Sequence, residues 1–233
     1  MTSESQIAER LRQIHLNIAA ACERSRREPS EVTIVGASKS QPVERLAWAW
    51  NSGLKVFGEN RVQEALSKSS QLSADIDWHL IGPLQSNKAK RAAELFSTVH
   101  SIDRIKIARL LDREAAQVGR PLRGFVEINL AREDTKHGFD PDDLAGQIEP
   151  LADLKSLEIV GLMAIPPFES DRDKARSWFR ALRELRDSII SLPPWADCPG
   201  FLSMGMSHDY DLAVEEGATH VRIGTALFGP RNL

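Results

Sequence analysis

The chain has 233 residues, 42% of them hydrophobic and 27% charged, with 14 Gly, 12 Pro and a formal net charge of -3. That length suits one large α/β domain or two small ones with ample core, and the composition excludes a disordered or fibrous chain. The slight acidity gives no general pull toward nucleic acid, the N-terminus lacks a signal-peptide core, and no window reaches the ~18 apolar residues of a membrane span, so a cytoplasmic protein is expected.

Ser3 followed by Gln6 forms a capping-box pattern, and Ile7, Leu11, Ile14 and Ile18 then recur at helical spacing until the polar stretch from Glu23 to Ser30. This predicts an amphipathic opening helix within residues 1–26. Eight apolar runs follow, each read as a strand: Val32 to Ser38, Lys55 to Gly58, Trp78 to Gly82, Thr98 to Ile102, Gly124 to Leu130, Glu158 to Ile165, Phe201 to Met206, and His220 to Phe228. Several are apolar almost throughout, as strands covered on both faces must be. Helical patterns separate them, clearly so at Leu46 and Trp50 after Pro42, and at Ala175, Trp178, Phe179, Leu182, Leu185 and Ile189.

Eight strand-helix units predict a single (β/α)8 barrel of the TIM type over residues 1–233, whereas a doubly wound open sheet uses fewer strands. With the last strand drawn to Phe228, no eighth helix is expected after it. The opening helix is expected to cover the seam between the last strand and the first. Cys22 and Cys198 have no metal-ligand or disulfide spacing, which excludes a structural zinc site and a disulfide framework.

In such barrels the strands' carboxyl ends form the working face, with phosphate commonly bound after strands seven and eight. Lys39 closes the first strand there and is either a solvated lysine or an amine able to form an imine. Ser207 is either a cap for a helix beginning near His208 or part of an anion cradle with Gly224 and Thr225. Arg222, inside an apolar strand, is too costly to bury alone; it pairs with a carboxylate such as Glu127 or Glu59, or it faces a ligand. Asn60 and His79 are either caps and satisfied core groups or ligand contacts. Met163, Met204 and Met206 fill core or line a flat ring. An amine facing an anion cradle suggests pyridoxal 5'-phosphate (PLP), an aldehyde that carries a phosphate. Dinucleotide, Walker, HExxH and nucleophile-elbow motifs are absent from the sequence.

The segments Ala37-Ser38-Lys39-Ser40, Phe57-Gly58-Glu59-Asn60-Arg61-Val62-Gln63-Glu64, Trp78-His79-Leu80-Ile81-Gly82-Pro83, Gly161-Leu162-Met163-Ala164-Ile165, Leu202-Ser203-Met204-Gly205-Met206-Ser207 and Val221-Arg222-Ile223-Gly224-Thr225 closely resemble the pyridoxal phosphate homeostasis protein family, in order from residue 32 to the end. The resemblance implies a single barrel similar to the alanine racemase N-terminal domain, fold type III, generally without demonstrated catalysis and associated with controlling free PLP. It implies that Lys39 holds PLP as an aldimine, that Ser207, Gly224 and Thr225 bind its phosphate, that Arg222 faces the pyridine nitrogen, and that Asn60, Met204 and, more weakly, His79 lie near the ring. Arg61 stands where relatives often carry Tyr, and His208 where an acidic residue is common. Lys136, in the Thr135-Lys136-His137-Gly138 loop, is either a second aldehyde acceptor or a solvated lysine.

An arginine beside the pyridine nitrogen opposes its protonation and so damps carbanion chemistry. Racemases of this kind add a tyrosine base from a second domain, and this chain has only Tyr210. The reading is therefore a cytoplasmic, monomeric carrier or buffer of PLP, with PLP-dependent apoenzymes as recipients and no metal, nucleic-acid or membrane partner. The alternatives are a weak PLP-dependent racemase or lyase using Tyr210 or His79 as second base, and a cofactor-free Schiff-base aldolase.

Overall fold

The computed structural model describes residues 2–133, 137–192, 195 and 197–230. Helix α1 (Glu4–Ser25) starts at the Ser3/Gln6 capping box and turns its buried Ile7, Leu11, Ile14 and Ile18 inward, at the spacing predicted. Among the described residues eight strands follow, β1 (Thr33–Ala37), β2 (Val56–Glu59), β3 (Asp77–Leu80), β4 (Thr98–Ile102), β5 (Leu122–Glu127), β6 (Leu157–Met163), β7 (Phe201–Met206) and β8 (His220–Ile223). Each pairs in parallel with the next, and β8 pairs back with β1, closing the barrel. Between them run α2 (Val43–Asn51), α3 (Val62–Ser69), α4 (Ala89–Leu95), α5 (Ile105–Val118), α6 (Leu144–Ile148), α7 (Arg172–Ile189) and α8 (Tyr210–Glu215), and the four-residue α9 (Thr225–Phe228) follows β8.

The end of the chain corrects one expectation. β8 stops at Ile223, Gly224 turns the backbone away at φ -106° and ψ -85°, and Thr225–Phe228 coils into α9. A short helix therefore does follow the last strand. Leu227 and Phe228 are fully buried, and a short apolar run is compatible with buried strand or buried helix alike, so periodicity could not separate them. β5 also begins two residues earlier than expected and ends at Glu127, after which Ile128 forms an isolated bridge to Phe139.

Helix α1 lies against α2, α8 and α9, the helices that flank β1 and β8. Arg27, just past its end, donates to the carbonyls of Val214 and Ala218 at 2.8 and 2.9 Å. No helix among the described residues is long and apolar enough to cross a membrane.

Gly161 of β6 pairs with Phe201 of β7, beside a register shift against β5. A Cβ there would stand 1.9 Å from the Phe201 carbonyl oxygen, and backbone cannot step aside as a side chain can. Gly161→Ala should cost about 1–3 kcal/mol or more, read as a lowered midpoint in urea with an unchanged slope; an unchanged midpoint would contradict this packing.

Candidate functional site

Lys39 follows β1 at the barrel's carboxyl end, half-buried, in a turn whose two flanking residues are both pinned. On one side, the buried Ser38 donates its hydroxyl to Glu59 Oε1 at 2.7 Å, and its carbonyl accepts from Lys68 Nζ at 2.8 Å. On the other, the Ser40 N–H donates to Glu64 Oε1 at 2.6 Å. Ser40 has φ 59°, a left-handed conformation that an L-serine holds only when its surroundings impose it. Lys68 ties the arrangement together by donating to Glu59 and Glu64, each at 2.7 Å. Burial pushes the Glu59 carboxyl above its ordinary range, against the hydrogen bonds from Lys68 and Ser38 that pull it down.

Gly224 faces this turn. The register sets Gly36 of β1 opposite Ile223 of β8, so Ala37 is opposite Gly224, and a Cβ on Gly224 would come no closer than 3.5 Å to the Ala37 carbonyl. Packing among the described residues thus does not demand glycine at this position; a backbone that must be approached by something else would. Beside it, Ser207 Oγ accepts from the N–H groups of Gly224 and Ala226 at 3.1 and 3.2 Å. With its lone pairs so engaged, the hydroxyl proton is free to donate to an anion. Thr225 is exposed next to it. Ser207 therefore does not cap the helix after β7, which begins at Tyr210 with Asp209 in the cap position. A cavity of about 560 Å³ opens at Ser207, His208, Tyr210 and Ala226 and is also lined by Arg10 and Arg24 of α1.

Arg222 makes neither of the expected carboxylate pairs. Its Nη1 donates to the Ser203 carbonyl and hydroxyl at 2.8 and 2.6 Å, and its Nη2 to the Ala164 carbonyl at 2.9 Å. Glu59 is taken by Lys68, while Glu127 acts on Arg222 only through its charge. Burial lowers Arg222 to about 10, with Glu127 and Asp209 opposing, so the group stays cationic at neutral pH. Burial and the charge of Asp103 push Glu127 up to about 7.

The remaining residues separate. Met204 and Met163 are fully buried and Met206 is half-buried. Asn60 is half-buried and lines a second opening, of about 720 Å³, with Arg61, Gln63, Lys88, Asp103 and Arg104. His79 belongs to the barrel interior rather than the cradle: its ring lies 5.1 Å from that of His100 and 6.2 Å from that of His220, the first residue of β8. Tyr210 is buried against α1, where its hydroxyl accepts from Asn17 Nδ2 at 2.8 Å. Lys136 lies outside the described residues.

Sequence reading missed the support of the Lys39 turn by Glu59, Glu64 and Lys68. Its one legible trace is the i, i+4 spacing of Glu64 and Lys68 on α3, which ordinarily marks a surface pair.

A family model described as the alanine racemase N-terminal domain matches residues 10–232. The pyridoxal phosphate homeostasis protein of Aquifex aeolicus is 42% identical over 229 residues, covering 96% of this chain and 97% of its own. PipY of Synechococcus elongatus has been solved without PLP and with PLP bound; the two structures superpose with TM-scores of 0.85 and 0.83 at 39% and 38% identity, each covering 96% of this chain and 100% of PipY.

Proposed function

Because the chain belongs to the pyridoxal phosphate homeostasis protein family, built on the alanine racemase N-terminal domain, we propose that it is a cytoplasmic, monomeric carrier of PLP that holds the cofactor through Lys39 and passes it to PLP-dependent apoenzymes. The observation that carries this reading is the pinned turn bearing Lys39 opposite a Gly224 that chain packing does not require. PLP would supply an aldehyde able to bond reversibly to a primary amine and an aromatic ring able to accept electrons. The residues present suit it: Ser207 and Thr225 offer hydroxyls to a phosphate, Ser207 being set in place by the Gly224 and Ala226 N–H groups, Arg222 holds a fixed positive charge at the carboxyl end of β8, and Asn60 and Met204 would border the ring.

Holding is favoured over turnover because the groups that would serve as a second base are committed elsewhere. Tyr210 is bound to Asn17, and His79 is buried against His100. A cation beside the ring nitrogen also disfavours the protonated ring that carbanion chemistry uses.

Lys39→Ala should purify colourless and retain PLP on the order of hundredfold more weakly, about 2.7 kcal/mol, measured by equilibrium dialysis. Racemisation or elimination of an amino acid by the wild type, lost in this variant, would replace the carrier reading with an enzyme. A colourless wild type that cleaves a sugar phosphate would replace it with an aldolase.

A further inference from the structure

Behind Arg222 a file of buried side chains crosses the barrel. Ser203 Oγ, 2.6 Å from Arg222 Nη1, is 2.8 Å from His100 Nδ1. His100 Nε2 is 2.9 Å from His79 Nδ1, and His79 Nε2 is 3.3 Å from Asp77 Oδ2. Ser203 and His100 are fully buried and His79 nearly so, while the Asp77 side chain is 44% exposed.

The ends of this file dictate the protons between them. An ionised carboxylate only accepts, so with a single proton on the His79 ring that proton sits on Nε2 and Nδ1 is bare. His100 must then donate from Nε2 and accept at Nδ1, and Ser203 must give its single hydroxyl proton to His100. That leaves the Ser203 oxygen lone pairs to the guanidinium, which only donates. Every link points from Arg222 toward Asp77, and no group is left with two donors or two acceptors facing each other. Burial first, and then the charge that a protonated His79 would carry, hold His100 well below the usual imidazole range and His220 down to about 3, so His100 and the neighbouring His220 are uncharged.

We propose that Ser203 and His100 are positioning residues for Arg222, and that the one-way chain Asp77–His79–His100–Ser203–Arg222 fixes where the guanidinium charge sits beside the bound cofactor ring. The inference rests on the reading of Arg222 given above. The two backbone carbonyls can anchor the guanidinium's edge, but Ser203 Oγ is the side-chain acceptor among its partners. Its capacity to accept from Arg222 depends on its own proton being drawn off by a neutral His100. The sequence hides this device, because His100 and Ser203 are separated by 103 positions.

The test compares wild type, Ser203→Ala, Ser203→Thr and Asp77→Asn. In the PLP-free protein, nitrogen-15 spectra of the imidazoles should show His79 and His100 as neutral Nε2–H tautomers. In the PLP-loaded protein, Ser203→Ala should displace the visible absorption band and weaken PLP binding about tenfold, as expected for loss of one hydrogen bond to a charged group. Ser203→Thr, which keeps the hydroxyl, should restore both. Asp77→Asn, at the half-exposed far end and in no contact with Arg222, should move the band in the same direction by less, and it reports on the chain even if Ser203→Ala does not fold. An Nδ1–H tautomer at His100, or a band unmoved by Ser203→Ala and Asp77→Asn in a fully loaded protein, overturns the inference alone. A wild type that takes no PLP onto Lys39 overturns the reading beneath it as well.

Discussion

Removing residues 1–26 should leave a chain that cannot hold its barrel closed, seen as loss of the cooperative thermal transition or a melting temperature lowered by tens of degrees. Ile7, Leu11, Ile14 and Ile18 are each at most 3% exposed in the folded chain. Burial of an aliphatic side chain of this size is worth about 1.5–3 kcal/mol, so the four together contribute roughly 6–12 kcal/mol, and ordering the helix offsets only part of this. A domain's entire margin is commonly about 5–15 kcal/mol. The surfaces left bare would be α2, α8 and α9, which bracket β1 and β8, and with them the two strand ends that carry Lys39 and the 224–226 segment. The truncated chain should therefore also fail to take up PLP, and an unchanged melting temperature would refute the assignment of α1 as part of the barrel's closure.

Lys68→Met should be nearly as damaging for an electrostatic reason. Lys68 Nζ is within 2.8 Å of three oxygens, and the carboxylate it faces on Glu59 is fully buried with Oε2 lacking any other partner among the described residues. Taking away one member of a buried pair leaves the other charge stranded, at about 3–5 kcal/mol. For a chain of this length that is a fall of roughly 6–20 °C in melting temperature. The remaining carboxyl, already raised by burial, should then take up a proton, so Lys68→Met/Glu59→Gln should recover much of the loss. PLP retention should not recover with it, because the Ser38 carbonyl still lacks its lysine and Ser40 is held in its left-handed turn only through Glu64. A double variant no more stable than Lys68→Met would contradict this account of the pair.

Much of this architecture is legible in the amino-acid sequence. Strands covered on both faces are largely apolar, so β1 and β7 stood out, and the opening helix was visible because Ile7, Leu11, Ile14 and Ile18 repeat on one stripe. The turn bearing Lys39 and the 224–226 segment could be found because barrels of this kind gather chemistry at their strands' carboxyl ends. Interactions created only by closure stayed hidden. Arg222 looked in need of a carboxylate, yet three oxygens of Ser203 and Ala164 receive it. His79 looked like a strand-end group, but its partners are His100 on the next strand and Asp77 two residues back. Lys68 carried the composition of a surface lysine and became buried because α3 packs it under Ser38. The boundary between β8 and α9 failed for another reason, since a short run such as Ala226-Leu227-Phe228 is compatible with buried strand and buried helix alike.

The central claim is that one particular amine captures the aldehyde, and chemistry can freeze that event. Full-length protein should be loaded with PLP, reduced with borohydride, digested and read by mass spectrometry. The account predicts a single stoichiometric phosphopyridoxyl adduct on Lys39, absent from the Lys39→Ala protein. An adduct distributed over surface lysines such as Lys55, Lys90 or Lys106, with Lys39 unlabelled, would contradict it.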